Sequence, residues 1–263
     1  MAIDQPGVKP PRGFYHQRAM PDRRYQNPDF HLEPRLLEEE FARMRADQRP
    51  LVRPVVILGG WHSPGVANWG LAARLTPCTS GRPEDFLSIT YPSRLSLSSA
   101  AGAAFRTIEA QGLRSRDIDV IGISMGGILA RALAANAFAF GDLKVRRVFT
   151  IASPHRGAKI ARVVVPDAAA WDMRPGSRFL GTLNKHEAGH ELHCYGALRD
   201  WWIGARNTAP PGLNPYWIDV DPGLGRLCTH FAINHEKRVM ADIARRLRAE
   251  DPIALRASEP PID

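Results

Sequence analysis

Cysteine and lysine are both scarce in this chain, and each scarcity removes a class of explanation. Three cysteines, Cys78, Cys194 and Cys228, are spread over 263 residues. They are too few and too scattered for a disulfide framework, and an odd count leaves one unpaired. Cys194 and Cys228 could lie on neighbouring strands, but reduced thiols are the expectation. Lysine occupies only five positions, so the net charge of +8 is carried by arginine. Those arginines are scattered end to end, often beside Asp or Glu, and no six-residue basic block, zinc-finger spacing or basic-aromatic array is present. A nucleic-acid partner is therefore not expected, and the charge argues at most for weak attraction to anionic surfaces or substrates. No H-E-x-x-H or comparable ligand set occurs, so neither a metal nor a cofactor is expected. No apolar run approaches the roughly 18 residues of a membrane span. The opening "MAIDQPGVKPPRGF" lacks the apolar centre of a secretory signal, which makes the cytoplasm the expected address.

What is present is the material of one substantial core. Hydrophobic residues make up 44% of the chain, enough for a single large α/β domain without repeats or low-complexity blocks. Residues 1 to about 31 are rich in Pro, Arg and Asp without periodicity and read as an extended arm. In "HLEPRLLEEEFARMRADQ", Leu37, Phe41 and Met44 share one helical face, which predicts a helix docked on the domain; arm and helix together account for 1–53. From Pro54 onward, short β-rich runs alternate with helical patterns. Strands are expected at Val55–Leu58, Phe86–Tyr91, Ile118–Ile123, Val145–Ile151, Glu191–Ala197 and Tyr216–Val220. Helices are expected near 66–75, 99–112, 126–139, 176–184 and 236–248. This alternation predicts a doubly wound, mostly parallel sheet flanked by helices over 54–250, with 251–263 as a tail.

The most informative stretch is "IDVIGISMGGILARAL", residues 118–133. Gly122, Ser124 and Gly126 form G-x-S-x-G, and the order around them is strand, tight turn, helix. Gly and Ser are also ordinary residues for a strand-to-helix turn. The functional reading is that the helix must pass close to the strand, so that only small residues fit and the Ser hydroxyl is held above the sheet as a nucleophile.

A serine nucleophile needs a base, a group that orients the base, and donors for the developing oxyanion. On such a sheet the acid and then the histidine follow in chain order. "ELHCYGALRD" supplies a strand ending at Asp200, followed by Trp201, Trp202 and Ile203. Asp219 and Asp221 lie too near the final strand, and Asp172 falls in an apparent cap segment. For the base, "RLCTHFAINHEKRVMADIARRL" offers His230 and His235. Val239, Met240, Ile243 and Leu247 place the terminal helix just after His235, with Asn234 as its expected cap. His230 is favoured, on the loop after the last strand. His155 precedes Asp200 and violates the order. In "PVVILGGWHSP" a strand ends in two glycines, so the amides of Trp61 and of Met125 are the candidate oxyanion donors. Trp61, His62 and Trp201 are the candidate substrate-binding residues. A small cap is expected within about 163–188, around "RVVVPDAAAWDMRP", which favours short to medium acyl groups.

The segments "GGW", "GISMGG", "TIASPHRGAKIA", "DMRPGSRFL", "ALRDWW" and "HFAINHEKRVMADI", in this order between residues 54 and 248, resemble the α/β hydrolases of the bacterial lipase and esterase type. That resemblance implies a Ser124–Asp200–His230 triad, an oxyanion hole at Trp61 and Met125, and a structural role for "SPHRG" beneath the elbow. The activity it implies is hydrolysis of a small-molecule or lipid ester through an acyl-enzyme. An acyltransferase or amidase using the same triad, and a non-catalytic binding protein on the same scaffold, are the alternatives.

Overall fold

The computed structural model of the chain describes residues 25–63, 65–162, 167–186, 189–220 and 229–263. Six strands form one sheet, all pairs parallel: β1 (Val55–Leu58), β2 (Phe86–Ile89), β3 (Asp117–Ile123), β4 (Lys144–Ile151), β5 (Glu191–Ala197) and β6 (Tyr216–Ile218). The spatial order is β2-β1-β3-β4-β5-β6. The six expected strands are these six, with β2 and β6 ending two residues early. Eight helices are described: α1 (Pro34–Ala46), α2 (Gly65–Leu75), α3 (Leu97–Ala110), α4 (Met125–Ala134), α5 (Ala168–Asp172), α6 (Arg178–Leu183), α7 (Thr229–Ala232) and α8 (Lys237–Leu247).

Strand alternation sorts the core into two layers. Val56 and Leu58 of β1, with Ile118 and Val120 of β3, face Leu97, Phe105, Ile128 and Leu129 of α3 and α4. Val55 and Ile57, with Ile121 and Ile123, face Leu71, Leu75, Val239, Met240 and Ile243 of α2 and α8. Helices on both faces leave no solvated side, which is why β1 reads as an uninterrupted apolar run. Each fully buried Val, Ile or Leu side chain contributes about 1.5–3 kcal/mol. In α1, Leu37, Phe41 and Met44 are buried in the second layer, as the spacing predicts.

Residues 25–31 of the expected arm, and the segment after α8, are more tightly held than their composition suggests. Phe30 is fully buried, Asn27 Nδ2 donates to the Trp217 carbonyl at 2.9 Å, and the Tyr25 amide donates to Asp219 at 2.7 Å. Residues 251–263, expected as a tail, are also docked. The buried Asp242 accepts the amides of Ile253 at 2.6 Å and Ala254 at 2.8 Å, and Trp217 Nε1 donates to Ser258 Oγ at 2.8 Å. Both segments cover β6, an edge strand that would otherwise offer unpaired backbone groups.

The order of strands puts a switch point between β1 and β3. The chain leaves β1 toward β2 on one side, then returns to lay β3 on the other. Loops at the carboxyl ends of these two strands therefore open a crevice between them, the place where open α/β sheets bind ligands.

Candidate active site

Ser124 occupies the single residue between β3 and α4, with φ +52° and ψ −118°. A non-glycine residue in this region costs on the order of 1–3 kcal/mol, and such strain persists only where packing over-determines it. The packing is visible in the flanking glycines. A Cβ on Gly122 would lie 2.3 Å from the Cα of Gly127, and one on Gly126 would lie 2.2 Å from the Leu58 carbonyl oxygen. Strand, turn and helix are thus in backbone contact, and no side chain fits between them. The Ser124 amide donates to the Ile151 carbonyl at 2.8 Å, tying the elbow to β4.

Asp200 lies in the turn after β5 and is fully buried. One carboxylate oxygen, Oδ1, accepts the amides of Trp202 at 3.0 Å and Ile203 at 3.1 Å. The other, Oδ2, lies 2.8 Å from His230 Nδ1, while His230 Nε2 lies 3.1 Å from Ser124 Oγ. A neutral imidazole protonated at Nδ1 satisfies both contacts, donating to Asp200 and accepting from the serine hydroxyl. His230 sits on the short helix α7 rather than on a loop. Residues 221–228, which precede α7 and include Asp221 and Cys228, lie outside the described residues.

Two aromatic rings frame the imidazole. Trp202 stacks on His230 at 5.3 Å between ring centroids with a 14° interplanar angle, and Phe231 meets it edge-on at 5.4 Å. Neither residue is a sequence candidate. The neighbouring Trp201, which is one, is 61% exposed. Two adjacent tryptophans after an acid carry no signal as to which turns inward.

The loop after β1 lies against the elbow. A Cβ on Gly60 would sit 3.3 Å from Ser124 Cβ and 3.5 Å from the Ile123 carbonyl oxygen. The amide of Trp61 follows directly, and that of Met125 is the first of α4, where helix geometry leaves it no intrahelical acceptor. The Trp61 indole donates to Asp167 Oδ2 at 2.9 Å, and His62 Nε2 lies 3.3 Å from the same oxygen. Trp61, Ala158, Ile160, Ala161, Ala170 and Met173 enclose a small apolar cavity of about 40 Å³. A larger open groove of about 540 Å³, lined by Gln48, Trp69, Phe86 and Ser88 among others, contains none of these site residues. Of the expected cap, 163–166 and 187–188 lie outside the described residues, and α5 and α6 are its described parts.

The remaining histidines separate cleanly. His235 ends the turn before α8, exposed at the surface, and its pKa is lowered by partial burial and by Arg74. The cap of α8 is Glu236, which accepts the Arg238 amide, and not Asn234 as expected. His155 is fully buried against Thr150, and burial pushes its pKa well down. Its neighbour Ser153 packs beneath the elbow, where a Cβ on Gly127 would come within 2.0 Å of Ser153 Oγ. Cys78 and Cys194 are free and buried. Among the described residues no helix is long and apolar enough to cross a membrane.

A family model described as a PGAP1-like alpha/beta domain matches residues 97–163. No curated protein sequence matches the chain. Among solved structures, lipase B of Aspergillus fumigatus is similar at a TM-score of 0.55 and 13% identity, covering 88% of this chain and 64% of its own. The propeptide form of Bacillus licheniformis lipase BlEst2 is similar at 0.53 and 15% identity, with 81% and 54% covered. Phospholipase PlaB of Legionella pneumophila in complex with thio-NAD gives 0.47 and 16%, with 56% of this chain and 37% of that one covered. The chain thus spans less than two thirds of the length of each of these three proteins.

Proposed function

We propose that this chain, which has the α/β-hydrolase fold, is a serine hydrolase that cleaves carboxylic esters through an acyl-enzyme on Ser124. The observation that carries the reading is the relay from Ser124 Oγ through His230 to the buried Asp200, at 3.1 and 2.8 Å. Residues far apart in the chain meet in the geometry of nucleophile, base and orienting acid.

In this reading Ser124 Oγ attacks the ester carbonyl while His230 Nε2 takes its proton, a general-base contribution of about 10²–10⁴-fold. Asp200 keeps the imidazole in the Nδ1–H tautomer and stabilises the cation that forms. The oxyanion is received by the amides of Trp61 and Met125, each such donor contributing on the order of 3 kcal/mol. Collapse of the tetrahedral intermediate expels the alcohol, which receives its proton from His230. Water then repeats the sequence on the acyl-enzyme and releases the acid. The names of the lipase neighbours support an ester substrate. The small cap expected within about 163–188 favours short to medium acyl groups, because each buried methylene adds only about 0.8 kcal/mol and only while there is wall to meet it.

The test is labelling with a fluorophosphonate followed by peptide mapping. A single adduct on Ser124, lost in Ser124→Ala, is the expected result. An unlabelled native protein, or an adduct elsewhere, overturns the reading.

A further inference from the structure

Asp167 is 92% buried, and its carboxylate joins two structural units. Oδ1 accepts the Ala170 amide at 2.7 Å and so caps α5, while Oδ2 takes the Trp61 indole N–H at 2.9 Å and faces His62 Nε2 at 3.3 Å. At the far end of α5, Asp172 Oδ2 accepts the Leu97 amide at 2.8 Å, fixing α5 to the start of α3. The helix is therefore a strut held at both ends, and its near end grips the loop beside the nucleophile.

That loop is also held through its backbone. The Gly59 carbonyl accepts the Tyr91 hydroxyl, the Ser63 amide donates to the Gly60 carbonyl at 3.3 Å, and the His62 amide donates to Ser93 Oγ at 3.0 Å. His62 itself has φ +50°, a strained value for a residue with a side chain. Trp61 is the residue between these anchors, and its side chain is held by the carboxylate of Asp167.

We propose that Asp167 is a positioning residue for the oxyanion loop, holding the Trp61 side chain so that the Trp61 amide stays aimed above Ser124. This rests on the reading of Ser124 as nucleophile and Trp61 as oxyanion donor. A donor contributes to the transition state only when it is already oriented, because reorienting it during the reaction spends what it would contribute. Release of the indole leaves the amide present but no longer fixed. The loss falls on kcat rather than on substrate binding, since the oxyanion exists only after attack.

The experiment is a double-mutant cycle on p-nitrophenyl acetate. Asp167→Ala is expected to lower kcat about 30-fold, somewhat less than outright loss of a donor, with KM within about threefold. Trp61→Phe, which removes the indole N–H and keeps an aromatic ring, gives a loss of similar size. The double variant falls no further than the worse single, because both break one bond. Asp167→Asn has one oxygen where the carboxylate uses two, so it keeps either the Ala170 cap or the indole bond and not both, and its kcat is expected between those of the native chain and Asp167→Ala. The affinity of a boronic acid, which forms a tetrahedral adduct on the serine, weakens in parallel with kcat. Thermal melts identify any variant that merely unfolds; if Asp167→Ala does, Trp61→Phe still decides through its kcat, KM and boronic acid affinity. An active native enzyme whose Trp61→Phe variant keeps kcat within twofold, or whose single losses multiply in the double, overturns the inference alone. A native protein with no esterase activity overturns the functional reading with it.

Discussion

Replacing Asp200 by asparagine is the sharpest probe of the relay, because the surroundings dictate how the amide must sit. In the native chain Oδ1 accepts two backbone amides, from Trp202 and Ile203, and Oδ2 accepts from His230. An asparagine of the same shape has one oxygen and one NH₂. With the NH₂ turned toward the two amides, two buried donors lose their acceptor, at about 1–3 kcal/mol each. With the oxygen turned toward them, only the contact to His230 changes. The second orientation is favoured by roughly the value of one buried hydrogen bond. The NH₂ then points at His230 Nδ1, which must accept, so the imidazole proton moves to Nε2. A protonated Nε2 cannot take the proton of Ser124. Activity on p-nitrophenyl acetate is expected to fall by about 10³–10⁴-fold, or about 4–5.5 kcal/mol of transition-state stabilisation. The fold should survive, because the shape and both backbone contacts remain. Steady-state kinetics give the loss, and ¹⁵N spectra of the imidazole give the tautomer. Turnover within tenfold of native, with a folded protein and the proton still on Nδ1, would refute the reasoning.

Three further outcomes follow from the same structure. His230→Ala is expected to match Ser124→Ala in turnover and not to add to it, while His235→Ala stays within about tenfold of native; the reverse ranking in ester kinetics would move the base to His235. Gly122→Ala pushes a Cβ to 2.3 Å from backbone, an overpacking of about 1–3 kcal/mol or more that should lower Tm by about 5 °C in a thermal melt; an unchanged Tm would contradict the close approach of β3 and α4. Burial, followed by the charge of Arg131, lowers the pKa of His190 to about 4, and burial, followed by Arg246 and Arg147, lowers that of His193 to about 3. The unfolded chain binds these protons near pH 6.5, so their stability contribution is complete above that pH and is lost as pH falls through about 4 and 3. Urea midpoints should therefore drop between pH 7 and pH 4.5, and a flat profile would argue against buried neutral histidines.

Most of the fold is legible in the sequence because its determinants are local. A strand buried on both faces is an apolar run, and a docked helix is a stripe at 3.6-residue spacing; Val55–Leu58 and the Leu37, Phe41 and Met44 face carry those periods in contiguous residues. The elbow is legible for the same reason. Gly122, Ser124 and Gly126 lie within five residues, and the clash that excludes larger side chains from Gly122 is with Gly127. The ends of elements are less legible: β2 stops at Ile89 and α4 at Ala134, short of where their patterns run on.

What the sequence by itself determined is therefore the alternation of strands and helices, the elbow, and a short list of acids and histidines. Tertiary structure alone decided which histidine stands within hydrogen-bonding distance of Ser124, and which acid stands behind that histidine. His230 is 106 residues from Ser124 and 30 from Asp200, separations set by strand order and crossovers and not by any period of the chain. The same cause hid Asp167, which meets Trp61 across 106 residues. It hid Trp202 as well, since the backbone of a single turn sends Trp202 onto the imidazole and Trp201 into solvent. Local pattern reaches as far as neighbours along one strand or one helical turn. Beyond that distance, contact depends on how the whole sheet is assembled.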